Sequence, residues 1–187
     1  MKSFAIILLT FFSFSFNTSF YSNLEYVKTD TQEILKTFKL YSGRLYIKLP
    51  SEFGLMSEEI KKVKYPTSDP KAITVCTNKE STINILLELS KKPLNQNRLP
   101  VILNQIQSEF SRIPEIQLEN AEIQSVNEKD ILVVEFISEA VDGRIYNLMF
   151  ITNIDGYTFT SNFNCTIENM PKWKPIGKQI LNSLKEV

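Results

Sequence analysis

Histidine is absent from the 187 residues. Ser-His-Asp and Cys-His catalysis, His-ligated zinc and histidine-based pH sensing are therefore excluded. Glycine is scarce: the five glycines are isolated, and there is no glycine-rich phosphate loop and no Walker, Rossmann or G-x-S-x-G pattern. The two cysteines, Cys76 and Cys165, make no C-x-x-C pair. Net charge is lacking as well, since 21 basic residues balance 21 acidic ones with no long run of either sign. Nothing in that balance points to nucleic acid or an anionic membrane as partner. No apolar run reaches the about 20 residues of a membrane span.

One shorter apolar run is present. Met1-Lys2 followed by residues 4–16, rich in Ile, Leu and Phe, reads as a secretory signal peptide. The expected division is a signal peptide over 1–22, an N-terminal segment over 23–37 and a single domain over 38–187, in an exported protein, periplasmic or extracellular. Small residues from Ser13 to Ser22 leave the cleavage point open, and no cysteine follows to carry a lipid. An uncleaved anchor is the alternative and would be the chain's only membrane contact. In an exported chain an even cysteine count allows a Cys76–Cys165 disulfide, which would contribute about 4–5 kcal/mol through loop closure. Two buried thiols are the other reading: Cys165 shares a face with Phe159 and Phe163, and Cys76 points away from Ile73 and Val75.

The domain is organised around residues 130–167. Asp142-Gly143 and Asp155-Gly156 separate three alternating apolar segments, the strongest short-range signal for two-residue hairpins. With two-residue turns, Phe150 lies opposite Glu135 and Ser161. One face then carries Val133, Glu135, Ile137, Glu139, Tyr146, Leu148, Phe150, Phe159, Ser161, Phe163 and Cys165. The other carries Val134, Phe136, Asn147, Met149, Ile151, Thr158, Thr160, Asn162 and Asn164. The middle strand is apolar on both sides, the pattern of a central strand in a sheet covered on both faces.

Elsewhere, residues 38–41 and 45–49 flank Ser42-Gly43 as a hairpin, and 71–76 and 82–89 form a second one. Residues 23–37 are open between a short helix capped at Asp30 and a flexible segment. Ser57 can cap a turn over 58–64. From Leu99 the stripe Ile102, Ile106, Phe110 and Ile113 predicts a helix that Pro114 stops; a strand follows over 116–126. A last helix from near Asn169 buries Trp173, Ile176, Ile180 and Leu184, with Gly177 on the same stripe allowing close packing on the sheet. The expected fold class is α+β: an antiparallel sheet with helices on both faces.

With these residues in place, the mature chain resembles the fold family that includes PsbP, the Mog-type Ran-binding proteins and bacterial DcrB-like exported proteins. The resemblance rests on Leu45-Tyr46-Ile47-Lys48-Leu49-Pro50, on Lys64-Tyr65-Pro66 and the hairpin after Pro70, on Tyr157-Thr158-Phe159-Thr160 leading to Cys165, and on Trp173 through Ser183-Leu184. It implies a PsbP-like α/β/α sandwich and an accessory or binding role rather than an enzyme. It supplies no catalytic residue and no cofactor, and none is expected.

Three groups remain as candidate sites. Lys172-Trp173-Lys174 is either a stacking site or, on the stripe argument, core flanked by solvated lysines. Thr158, Thr160, Asn162 and Asn164 form a polar row, either a groove for a polar ligand or a solvated edge-strand face. Finally, a two-residue Glu128-Lys129 turn would set Glu122 opposite Glu135, with Glu139 further along the same face. Like charges opposite one another are destabilising. Either the register differs, or the corner is solvated with lysine side chains reaching in, or these carboxylates form an acidic docking patch for a partner or for Ca²⁺, Mg²⁺ or Mn²⁺. Two function classes follow: an accessory protein of the cell envelope with a protein partner, or a module binding a small molecule or divalent cation.

Overall fold

The computed structural model describes residues 25–27, 35–66, 68–140 and 143–187. The expected signal peptide lies outside them. In chain order the elements are β1 (Glu25–Val27), β2 (Leu35–Leu40), β3 (Leu45–Pro50), β4 (Gly54–Leu55), α1 (Glu58–Lys64), β5 (Thr74–Thr77), β6 (Ile83–Pro93), α2 (Leu99–Phe110), β7 (Ile116–Val126), β8 (Lys129–Ala140), β9 (Gly143–Ile154), β10 (Tyr157–Thr166), α3 (Met170–Asn182) and β11 (Lys185–Glu186). The strands form two antiparallel sheets. A large one runs β4-β5-β6-β10-β9-β8-β7 and a small one β1-β2-β3-β11.

The large sheet is apolar on both faces because its central strands alternate two sets of large side chains. Val133, Tyr146, Leu148, Phe150, Phe159 and Phe163 pack under α3 and under Leu45, Ile47 and Leu49 of the small sheet. Leu132, Val134, Phe136 and Ile151 pack under α2, through Leu99, Ile102, Ile106 and Phe110. A helix thus covers each face, and on the α3 face the first hairpin adds a sheet layer of its own. Gly177 sets the α3 distance: a Cβ there would come within 2.8 Å of the Phe163 ring. Ser57 caps α1, its Oγ accepting from the Ile60 amide. The faces match the alternation read from the sequence.

The registers differ in two places. Gly143 is the first residue of β9 and pairs with Ala140, so Glu135 lies opposite Leu148 rather than Phe150. A shift of two residues keeps every side chain on its face. Between β7 and β8 the turn is Asn127-Glu128, with φ of 49° and 67° closing Val126 on Lys129. Asn is among the residues that best tolerate this left-handed geometry, and so draws the turn one residue earlier than Glu128-Lys129. Glu122 therefore faces Val133, and Asn120 faces Glu135. The Asp155-Gly156 hairpin does set Ser161 opposite Phe150. Within residues 23–37, Glu25–Val27 is a strand paired with β2, which begins at Leu35 where a helix had been the alternative.

Candidate functional site: the flank of the last helix and the buried glutamate beneath it

Glu135 sits on β8 facing α3 and is 3 % exposed. Lys174 and Lys178, one helical turn apart, reach down from the flank of α3. Lys174 Nζ donates to Glu135 Oε2 at 2.7 Å and Lys178 Nζ to Oε1 at 2.8 Å. The Tyr146 hydroxyl on β9 donates to Oε2 at 2.9 Å. The Lys174 ammonium also lies 5.3 Å from the centre of the Tyr146 ring. Burial alone would push the Glu135 carboxyl up, but the hydrogen bonds from Lys174, Lys178 and Tyr146 outweigh it and hold the carboxyl below its usual range. Burial and the Glu135 carboxylate push the Tyr146 phenol far up.

Along this flank runs a cleft of about 380 Å³ lined by Ile167, Met170, Pro171, Lys174, Pro175 and Lys178. Beyond Glu135 the sheet continues to β7, which exposes Gln117, Glu119, Asn120 and Glu122. Glu122 accepts from Asn120 and Gln124, each at 2.8 Å, and these bonds hold it below the usual carboxylate range. Glu139 is exposed and pairs with Arg144 Nε at 3.4 Å, while Arg144 donates to Gln117 at 2.6 Å. Glu122, Glu135 and Glu139 thus share a face, but Glu135 is already saturated by lysines. Among the described residues no three His, Cys, Asp or Glu side chains converge as a metal site would need.

The polar row occupies the opposite face. Its strand, β10, is not an edge but lies between β6 and β9. Asn84, Asn164 and Asn147 stand opposite one another across three strands. Thr77 Oγ1 donates to Asn84 Oδ1 at 2.7 Å, Asn84 Nδ2 to Asn164 Oδ1 at 3.0 Å, and Asn162 Nδ2 to Asn147 Oδ1 at 3.1 Å. Thr158 donates to the Lys92 carbonyl at 3.1 Å. Most of these amides are thus bonded to each other, while Asn162 Oδ1 is buried without a partner.

Trp173 is buried in the core, its ring 5.7 Å from that of Phe53, with Lys172 over its face. Cys76 and Cys165 are free, buried thiols, which burial pushes up to about 12. Cys76 pairs with Ile85 on β6 and Cys165 with Ile83, so β6 stands between them. Two strand spacings come to roughly 9–10 Å, beyond the reach of a disulfide. Sequence reasoning had not linked Lys174 and Lys178 to Glu135, nor Asn84 to the polar row. The signal for the first was their spacing of four beside the Trp173 stripe.

An antiparallel sheet with a helix on each face is the PsbP-like fold. Among solved structures, the chain is similar to the cyanobacterial PsbP (CyanoP) of Synechocystis sp. PCC 6803, with 12% identity over 82% of this chain and 92% of that one, at a TM-score of 0.56. A protein of Bacteroides thetaiotaomicron VPI-5482 matches with 12% identity over 78% of this chain and 46% of its own, at 0.51. The Ran-binding protein Mog1p of Saccharomyces cerevisiae matches with 8% identity over 82% and 95%, at 0.49. No protein-family model matches the chain, and no curated protein matches it in sequence. The likeness is one of fold.

Proposed function

We propose that the chain is an exported, non-catalytic accessory protein of the cell envelope that acts by binding another protein. The observation that carries this reading is the saturation of Glu135. Its two oxygens accept from Lys174, Lys178 and Tyr146, which leaves no lone carboxylate poised to move a proton in the cleft. Both thiols are buried and pushed away from the reactive range. What the α3 side offers is a surface: an apolar helix flank with Lys174 and Lys178 beside it, the neutralised carboxylate of Glu135 beneath them, and the exposed Glu122 and Glu139 on the same face of the sheet. A surface of that kind docks a partner. Export rests on Lys2 and the apolar run over 4–16. Among the described residues no helix is long and apolar enough to cross a membrane.

The test is expression of the full chain in a bacterial host with fractionation and chemical cross-linking. The exported material should begin between Ser15 and Asn23 on N-terminal sequencing and cross-link to one envelope protein in a fixed ratio. Soluble cytoplasmic protein that retains Met1, or a purified protein that turns over a substrate, overturns the reading.

A further inference from the structure

β7 is the last strand of the large sheet, and among the described residues no strand pairs with its outer side. An open edge presents unpaired backbone donors and acceptors, a template for another strand. The edge is divided by a bulge: the register shifts between Leu118 and Asn120, so Glu119 is the extra residue. Bulges end pairing locally, which leaves residues 120–126 as the regular part.

The two sides of that segment differ in chemistry. On the α3 face it exposes Asn120 and Glu122, with Gln124 beside them, and Glu122 lies near enough to Lys178 to feel its charge. On the α2 face it carries Ala121 and Ile123, partly buried against the α2 cluster. From Ile116 to Val126 there are two glutamates and no basic residue. We infer that the free edge of β7 over residues 120–126 takes up an extended segment of a protein partner whose side chains alternate basic and apolar. Backbone bonds supply the affinity and the alternation supplies the specificity. Basic side chains meet Glu122 and the bulged Glu119, and apolar ones extend the Ala121–Ile123 side over the margin of α2. A second copy of this chain is the poorer occupant, because it brings two more glutamates and no compensating lysine to the same edge.

The inference rests on the protein-binding reading above and is tested apart from it. The probe is a synthetic heptapeptide alternating Val and Lys, blocked at both ends, titrated into the isotope-labelled full chain. Amide shifts and slowed hydrogen exchange should centre on residues 120–126, and affinity should fall as salt is raised. Glu122 is exposed, so Glu122→Lys leaves the fold intact; it should weaken the peptide about fivefold or more, since one cross-strand charge pair is worth up to about 1 kcal/mol and reversal also adds repulsion. The matching Val-Glu peptide should not bind. Absence of shifts at millimolar peptide, shifts centred elsewhere, or equal affinity for the variant overturns the inference. So does a concentration-dependent dimer that protects the same amides without peptide. A partner cross-linked through another surface sinks the edge while leaving the proposed function standing.

Discussion

On its α3 face the large sheet buries a full charge, Glu135, and surrounds it with two ammonium groups and a phenol. On its α2 face the fully buried polar groups are neutral, Thr77, Asn84, Asn147 and Asn164, joined by amide and hydroxyl hydrogen bonds, and Glu88 is only half-buried. Both arrangements pair the groups just named, although Ser161 Oγ on one face and Asn162 Oδ1 on the other are buried without a partner, and the two respond to different disturbances. A charge held by lysines that are 30 % and 48 % exposed can lose its partners to water, because either side chain can swing out. The amides have no such exit, since Asn84 and Asn164 are both more than nine-tenths buried. The charged site is therefore the adaptable one and the amide row the rigid one.

The largest effect should come from removing the cover of the α3 face. Trp173→Ala should cost about 3–5 kcal/mol, the range for aromatic truncation in a core. A urea titration measures it, and native emission of the wild-type Trp173 should be blue-shifted. Red-shifted emission with little loss of stability would place Trp173 at the surface. Next, Glu135→Leu should cost about 2 kcal/mol, less than the about 3–5 kcal/mol of a fully buried pair, because both lysines can turn to solvent. On the other face, Asn164→Leu should cost about 1–2 kcal/mol by leaving the Asn84 amide without its acceptor. If adding Asn84→Leu does not recover part of that loss, the amide row is not coupled in the way its geometry implies.

The smallest effects concern pH, and the two faces should differ in sign. Glu135 is held below its ordinary value of 4.5, so its contribution is complete above 4.5 and is lost as pH falls through the folded value. Glu88 alternates with Leu87 and Leu89, pairs with Thr160 on the α2 side, and is pushed above 4.5 by burial, against a lowering by Lys92. It subtracts stability at neutral pH and returns it as pH falls through its folded value towards 4.5. Glu88→Gln should therefore raise the neutral-pH urea midpoint, while Glu135→Gln should lower it and flatten the acid loss. Equal pH slopes in both variants would remove the distinction between the faces.

Local signals reached far in this chain. Asp155-Gly156, the Ile102–Ile106–Phe110 stripe and Gly177 each announced an element that stands where the pattern put it, because each depends on neighbours in sequence. The face of every central residue followed from alternation, and the α+β class from alternation together with the two helical stripes. What could not be read was pairing at a distance. Asn84 meets Asn164 across 80 positions, and nothing in a window around either residue says so. The candidate site was legible in its carboxylates but not in its cations. Lys174 and Lys178 look like ordinary solvated lysines until α3 is laid on β8. The turn at Asn127-Glu128 moved the partner of Glu122 by two positions, since one residue of difference in a turn is doubled across the strands.

Lys185 and Glu186 pair with Tyr46 and Leu45, and Glu186 also forms an ion pair with Lys129 and accepts from the Asp155 amide. The small sheet is thus closed by residues made about 140 positions after the strand they complete. Synthesis delivers the amino-terminal hairpin first, and contacts this distant form last. A nascent chain stopped before residue 170 would hold Leu45, Ile47 and Leu49 with no α3 beside them and the aromatic face of β10 uncovered. Such a chain has every local element of the meander and no finished core.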